Sequence, residues 1–275
     1  MQRQRWFEIH DSRWFPRFLR DLVTEGLEAV WNANRTYHPI AGRLREALER
    51  TGSTAVVDLC SGGGGPWTGL YEEVAASREL QVLLTDRHPS RVAMEATNGA
   101  GAHVATWNEP VDACHIPQEL RGFRTVFSAF HHFDPKGARA ILADAVARRE
   151  GIAVFEGARC DLWTMLATSA VPLLALREAA RARPVRWNRV LWTFLLPVVP
   201  AVLWVDGLLS CLRSYSLGDL RELTAGFGDY AWEVGDESGA RVPIRYLIGL
   251  PRKGSGIGEL GTAGGEPAAR ALKKR

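Results

Sequence analysis

Val56-Val-Asp-Leu-Cys-Ser-Gly-Gly-Gly-Gly-Pro-Trp67 is the stretch that decides the fold. It starts as an apolar strand, places the acid Asp58 near the end of that strand, and runs into four consecutive glycines at 62–65. A turn without side chains lets a ligand lie against the backbone, at the strand end where open α/β sheets bind cofactors. The stretch therefore predicts a cofactor loop, with a purely structural glycine turn as the alternative.

Composition limits the class of protein. The chain has 275 residues, a formal net charge of +3 and 46% hydrophobic residues, which fits one large domain or a domain with a cap. The small charge argues against a nucleic-acid partner. The start of the chain lacks the apolar core of a signal peptide. Four widely spaced cysteines without a C-x-x-C pair argue against a zinc site and favour a reducing compartment: Cys60, Cys114, Cys160 and Cys211. We expect a cytoplasmic protein.

Hydrophobic periodicity predicts an α/β fold. Helical spacing over 14–50 predicts an N-terminal helical layer. Short β-branched runs then alternate with helical stretches, which is typical of a parallel sheet with helices on both faces. Predicted strands are 55–59, 81–85, 102–106, 125–128 and 152–155, with helices at 67–76, 90–98 and 136–149. Two closing strands, 230–234 and 241–250, are predicted to flank a polar turn at 235–239.

The same patterns predict the domain organisation. Residues 1–50 form a helical cap and 51–251 the main domain, with an apolar helical insertion at about 161–212 between strands five and six. The tail, 252–275, is rich in Gly, Ala and Lys without apolar periodicity, which predicts disorder. The sequence does not indicate an oligomeric state.

Three acids follow the predicted strands. The glycines after Asp58 lack the G-x-G-x-x-G spacing of nicotinamide-binding loops, and a carboxylate there suits a cationic sulfonium cofactor without phosphates. Asp86 ends the second strand, where a carboxylate can bind ribose hydroxyls of either cofactor type; the alternative is a helix cap. Asp112 and Ala113 could meet an adenine.

Together, residues 56–65, Asp86, Val111-Asp112-Ala113 and the segment 127–133, Phe-Ser-Ala-Phe-His-His-Phe, resemble the class I S-adenosylmethionine-dependent methyltransferases of small-molecule type. The resemblance implies a Rossmann-like, doubly wound seven-stranded sheet with an antiparallel last strand, and S-adenosyl-L-methionine as cofactor. It implies that the glycine loop meets the methionine part, Asp86 the ribose, and Asp112 with Ala113 the adenine. The cofactor-binding residues expected are Asp58, Cys60, Ser61, Gly62, Gly64, Asp86, Asp112, Ala113 and Ser128. Cys60 stands where the first loop glycine of that family usually lies.

Candidate catalytic residues are His131, His132 and Glu156. The two histidines end strand four beside the expected methyl group, where one could accept a proton from a hydroxyl or amine; the alternative is a packing or merely polar role. Glu156 ends strand five and either orients substrate or caps the next helix. We expect no metal at His131, His132 and Asp134, because adjacent histidines point apart on an extended chain.

The substrate is expected to be small and apolar. Strand four lacks the Asn/Asp-Pro-Pro-Tyr/Phe motif that methyltransferases acting on nucleic-acid amines carry. Residues 190–205 are apolar but are broken by two prolines. With Arg177, Arg181, Arg183, Arg186 and Arg189 before it, the segment 190–212 either touches an anionic membrane surface peripherally or forms a cap over the site, and the two can coexist.

Two other functions fit part of the pattern. One is an NAD(P)-dependent oxidoreductase, although the chain has no Tyr-x-x-x-Lys pair. The other is a non-catalytic, membrane-associated binding protein on a methyltransferase scaffold.

Overall fold

The computed structural model describes residues 8–10, 12, 14–62, 64–76, 78–89, 103–239 and 241–252. Within these residues, the centre is a seven-stranded sheet of order β3-β2-β1-β4-β5-β7-β6. The strands are β1 (Ala55–Leu59), β2 (Gln81–Thr85), β3 (Val104–Thr106), β4 (Phe123–Phe127), β5 (Ile152–Glu156), β6 (Tyr230–Glu237) and β7 (Ile244–Pro251). Strands β1 to β5 are parallel, whereas β7 is antiparallel to both β5 and β6. The fold prediction is confirmed.

Helices cover both faces of this sheet. They are α1 (Arg17–Ala33), α2 (Ala41–Thr51), α3 (Trp67–Ala75), α4 (Pro135–Ala147), α5 (Leu162–Thr168), α6 (Val171–Arg181), α7 (Trp187–Val190), α8 (Val198–Arg213) and α9 (Leu217–Thr224). Every residue of β1, β4 and β5 is buried. One core lies between the sheet and helices α2 and α3, and a second lies between the sheet and helices α4 and α9. Apolar strand sequences are expected for a sheet buried on both faces.

The N-terminal helix joins the insertion in a third apolar core. Leu22 and Val30 of α1 pack with Ala175 of α6 and with Val199 and Leu203 of α8. The first helix of the chain and the helices inserted between β5 and β6 are therefore one packed unit.

The apolar insertion is bent. A π-helical turn, Leu191–Leu195, continues α7, and Pro197 separates it from α8 because proline interrupts the helical hydrogen-bond ladder. Among the described residues, no single helix is both long and apolar enough to cross a membrane. The pair Trp187–Leu195 and Val198–Arg213 meets the length and composition criteria only together, across a 64° bend.

Several boundaries differ from the sequence-based expectations. The polar turn predicted at 235–239 is wrong, because β6 continues to Glu237. Asp236 pairs with Arg245 of β7, whose guanidinium binds its carboxylate at 2.9 and 3.1 Å. Strand β4 begins two residues earlier than predicted. Helix α9 was not predicted, although its capping box of Ser216 and Asp219 is readable in the sequence.

Four predictions fall wholly or partly outside the described residues. They concern the helix at 90–98, the start of the third strand at residue 102, the first seven residues of the cap, and the tail from residue 253 onward.

Candidate cofactor and active site

A cavity of about 1140 Å³ lies at the carboxyl ends of the central strands. Helices α1, α5, α6 and α8 also line it, together with Glu8 and His10 of the N-terminal segment and residues at 241–244. Ten of the residues predicted from the sequence line this cavity: Asp58, Cys60, Ser61, Gly62, Asp86, Asp112, Ala113, Ser128, His131 and His132. Gly64 and Glu156 are described but do not line it. The fold thus brings together candidates that are spread over 75 positions of the sequence.

Asp58 supports the glycine loop from beneath. Ser61 Oγ donates to Asp58 Oδ2 at 2.7 Å, and Thr125 Oγ1 donates to Asp58 Oδ1 at 2.5 Å. The side chain is fully buried, which raises the pKa of this carboxyl to about 6 despite the stabilising hydrogen bonds from Thr125 and Ser61. Asp58 thereby connects the loop to β4.

The loop takes its shape from left-handed backbone. Gly62 and Gly64 have φ angles of +63° and +143°, and the Gly64 N–H donates to the Ser61 carbonyl at 3.1 Å. A Cβ on Gly62 would lie 2.8 Å from Thr24 Cγ2 of α1. Gly64 therefore shapes the turn rather than the cavity surface, and Gly62 is required where α1 approaches the loop.

Cys60 also lies in the left-handed region, with φ +58°. Non-glycine residues adopt this conformation at a conformational cost. This accounts for the glycine that the resembling family carries at this position. Ser128 also has a left-handed backbone conformation, at φ +44°. Its Oγ contacts Tyr37 Oη at 2.5 Å and accepts the Gly157 N–H at 3.2 Å.

Asp86 is tied to the loop by its side chain. The Gly62 N–H donates to Asp86 Oδ2 at 2.9 Å, and the His88 N–H donates to Oδ1 at 2.7 Å. The Asp86 carbonyl accepts the Val111 N–H at 2.9 Å. This hydrogen bond places Asp112 and Ala113, the residues predicted to meet the adenine, next to Asp86. Asp112 is exposed and accepts the Cys114 N–H at 2.9 Å.

Glu28 is a cavity residue that sequence reasoning missed. From α1, its Oε1 accepts the Gly65 N–H at 3.0 Å. The amides of Gly62 and Gly65 thus both face carboxylates. No local pattern could have signalled this contact, because 37 positions separate Gly65 from Glu28.

His131 and Glu156 form a buried pair. The Nδ1 atom of His131 lies 2.6 Å from Glu156 Oε2, and Glu156 Oε1 accepts the Phe130 N–H at 2.7 Å. Burial by itself would lower the pKa of His131, but Glu156 and Glu8 raise it to about 10. Glu156 therefore contacts His131 and the turn, not the cavity.

Glu8 is a second residue that sequence reasoning missed. Its side chain is fully buried; Ser210 Oγ donates to its Oε1 at 2.9 Å, and Arg213 Nη1 lies 3.7 Å from the same atom. Burial favours its neutral form, but His132, His131 and His10 lower the pKa of Glu8 to about 2. The start of the chain thus places a carboxylate against the histidines of strand four.

Asp206 of α8 fixes the segment around His10. It accepts the backbone N–H groups of Ile9 and His10 at 2.7 and 3.0 Å, and its Oδ2 lies 2.8 Å from His10 Nδ1. The two residues are 196 positions apart in the sequence. The insertion therefore anchors the N-terminal segment over the cavity.

The two histidines do not point apart. Both lie in the 3₁₀ turn Phe130–His132, with ring centroids 4.4 Å from each other, because this segment is not extended. His132 Nε2 lies 3.6 Å from Glu8 Oε2. The premise on which a metal was not expected is thereby corrected.

No protein-family model matches the chain, and no curated protein sequence matches it. Among solved structures it is similar to human N-acetylserotonin methyltransferase in complex with SAM (12% identity, 84% of this chain and 56% of that chain, TM-score 0.48). It is also similar to mitomycin 7-O-methyltransferase (16% identity, 86% and 56%, TM-score 0.47). A third similarity is to magnesium protoporphyrin IX methyltransferase from Synechocystis PCC 6803 with bound SAH (12% identity, 88% and 91%, TM-score 0.44).

All three carry the name of a methyltransferase, the class that the sequence resembles. The chain spans little more than half the length of several of these solved structures. Similarities of this extent do not identify a substrate or an activity. The function proposed below therefore rests on the residues of this chain.

Proposed function

We propose that the chain is an S-adenosyl-L-methionine-dependent methyltransferase acting on an apolar small-molecule or lipid-like acceptor. The main observation in support of this proposal is that the Gly62 N–H donates to the Asp86 carboxylate and the Gly65 N–H donates to the Glu28 carboxylate. A pyrophosphate needs such amides for itself, and it would be repelled by the two carboxylates. The loop therefore suits a cofactor with a cationic sulfonium and no phosphate, which favours this function over an NAD(P)-dependent one.

The predicted cofactor residues fit this group. Asp86 uses one backbone N–H per oxygen, and because a carboxylate accepts about four hydrogen bonds, it retains capacity for ribose hydroxyls. The backbone from Cys60 to Gly62 would hold the methionine part, supported by Asp58 and Ser61. Asp112 and Ala113 would meet the adenine, and Ser128 the centre of the cofactor. The cofactor supplies an electrophilic methyl group, which an acceptor held in line can take.

The polar end of the cavity would hold the acceptor. We assign His131 and His132 to the binding of its nucleophilic oxygen or nitrogen, because both line the cavity beside β4. Glu156 is a positioning residue, since it holds His131 and the turn without lining the cavity.

The apolar side chains at the other end of the cavity favour an apolar acceptor. Leu166, Val171, Leu174 and Leu203 line the cavity from the insertion. Its volume of about 1140 Å³ exceeds the roughly 300–1,000 Å³ of single-ligand pockets, which leaves room for cofactor and acceptor together. Trp163 also lines the cavity yet is 65% exposed, so the acceptor can enter beside it.

We further propose that the outer surface of the insertion contacts an anionic lipid bilayer. Large apolar side chains that do not line the cavity are exposed there: Leu162, Trp187, Phe194, Leu195 and Trp204. Large apolar side chains exposed on one inserted segment are typical of membrane or protein contacts. Arg183 is exposed on the same insertion, whereas Arg181 pairs with Glu178, and Arg186 and Arg189 pair with Glu25.

Titration of S-adenosylhomocysteine into the purified chain tests the methyltransferase proposal. We expect binding to the wild type and a loss of about 10-fold or more in Asp86→Ala, the range for hydrogen bonds to a charged group. The control is Asp229→Ala, an exposed carboxylate outside the cavity. Absence of binding, equal binding by Asp86→Ala, or preferential binding of NAD(P)H would overturn it.

A further inference from the structure

Three side chains converge where the N-terminal segment meets strand four. Glu8, His10 and His132 each offer a ligand atom, and these atoms all lie within 4.8 Å of one another. The 3.6 Å between His132 Nε2 and Glu8 Oε2 is too long for a hydrogen bond. It is close to the spacing of two ligands on one tetrahedral cation, about 3.4 Å for bonds of about 2.0–2.2 Å.

The surroundings are those of a metal site. A carboxylate that holds one ring nitrogen of a ligating histidine is the usual supporting contact. Asp206 Oδ2 lies 2.8 Å from His10 Nδ1, so Nε2 of His10 is the nitrogen that would bind a cation. Glu8 Oε1 lies 2.9 Å from Ser210 Oγ and 3.4 Å from His131 Nε2, whereas Glu8 Oε2 lies 3.6 Å from His132 Nε2 and 3.7 Å from His10 Nδ1.

From these observations we propose that Glu8, His10 and His132 bind a divalent transition-metal cation of the zinc type. Two imidazoles and one carboxylate favour zinc over magnesium or calcium, which prefer oxygen ligands. All three residues line the cavity, so a cation between them faces it with an open coordination position. That position would take water or, if the proposed function holds, the acceptor's oxygen.

The test is calorimetric titration of zinc into untagged, chelator-treated protein without cofactor. We expect one equivalent to bind. Asp206→Asn should weaken binding by about 10- to 100-fold, as supporting contacts usually do, and His10→Ala and His132→Ala by more. The control is His103→Ala, a histidine outside the cavity. Circular dichroism of each variant confirms that it is folded.

A second readout does not depend on variants. Crystals soaked in zinc should show an anomalous difference peak between Glu8, His10 and His132. Absence of binding, binding that the His10 and His132 variants retain, or a peak elsewhere in the molecule would overturn the proposal. Because neither measurement involves S-adenosylhomocysteine, this proposal and the proposed function fail independently.

Discussion

His131 Nδ1 lies 2.6 Å from Glu156 Oε2, with only 2% and 5% of the two side chains exposed. The same carboxylate accepts the Phe130 N–H, so Glu156 holds the turn that carries both histidines. A charged pair this deeply buried is stable only while both partners are present. The pair thus couples the end of β5 to the polar end of the cavity.

Glu156→Ala should therefore destabilise the chain by about 3–5 kcal/mol, the range for breaking one partner of a buried pair. Glu156→Gln should lose less, because its amide oxygen can still accept the Phe130 N–H. Urea unfolding followed by circular dichroism measures both. S-adenosylhomocysteine affinity of the folded Gln variant should stay near the wild-type value. Equal, small losses in both variants would contradict this role.

Asp58 should make stability depend on pH. Burial raises its pKa in the folded chain to about 6, above the usual 3.8, so the folded state binds this proton more tightly than the unfolded state. Over the whole range from about pH 3 to pH 7, this group lowers the free energy of unfolding by about 3 kcal/mol, and about 2 kcal/mol of this is lost between pH 4 and pH 6.

Asp58→Asn removes that dependence. The stability of the Asn variant relative to wild type should rise by about 2 kcal/mol between pH 4 and pH 7, measured by urea unfolding at both values. Asp229→Asn, at an exposed site, serves as the control and should show no such change. A constant difference between Asp58→Asn and wild type would refute the assignment.

The glycine loop predicts opposite effects at two neighbouring positions. Gly62→Ala should cost about 2 kcal/mol or more, because φ is +63° and the new Cβ would meet Thr24 at 2.8 Å. Cys60→Gly, at φ +58°, should be neutral or gain up to about 1 kcal/mol.

The matched control is Gly42→Ala. This glycine lies in α2, and an added methyl group there would have no other atom within 4 Å, so alanine should stabilise the helix by about 0.5–1 kcal/mol. Thermal unfolding of the three variants gives the comparison. If Gly62→Ala proved as stable as Gly42→Ala, the loop would not have the backbone described.

The proposed bilayer contact predicts loss of vesicle binding when two exposed apolar residues become charged. Trp187 and Leu195 are 82% and 67% exposed, so Trp187→Glu with Leu195→Glu should leave the fold intact. Binding to vesicles rich in phosphatidylglycerol should fall about 10-fold or more, since each side chain contributes roughly 1.5–3 kcal/mol when buried.

Cosedimentation provides the measurement. Lys136→Glu makes the same change in net charge at an exposed position on α4 and should bind vesicles like the wild type. Failure of the wild-type protein to bind these vesicles, or equal binding by the double variant, would exclude the bilayer contact.

Local pattern was sufficient for the central strands. β1 and β2 run over the predicted residues. Short, uninterrupted apolar runs with an acid at or near the end are typical of strands in a parallel sheet that is buried on both faces. The predicted strand boundaries were wrong where pairing with a separate strand sets the end of a strand. β6 extends through a polar segment because Asp236 pairs with Arg245 on β7. Helix α9 was missed although its capping box is local.

By itself, the sequence determined the sheet, the glycine turn and the acids after β1 and β2, since periodicity and strand-end chemistry act over a few residues. Only the tertiary structure decided that Glu8 and His10 meet Asp206 and His132 at one end of a cavity. His10 and Asp206 are 196 positions apart in the sequence, and no local pattern specifies such contacts. Packing of α1 against the insertion brings them together and turns a cofactor loop into one wall of a larger site.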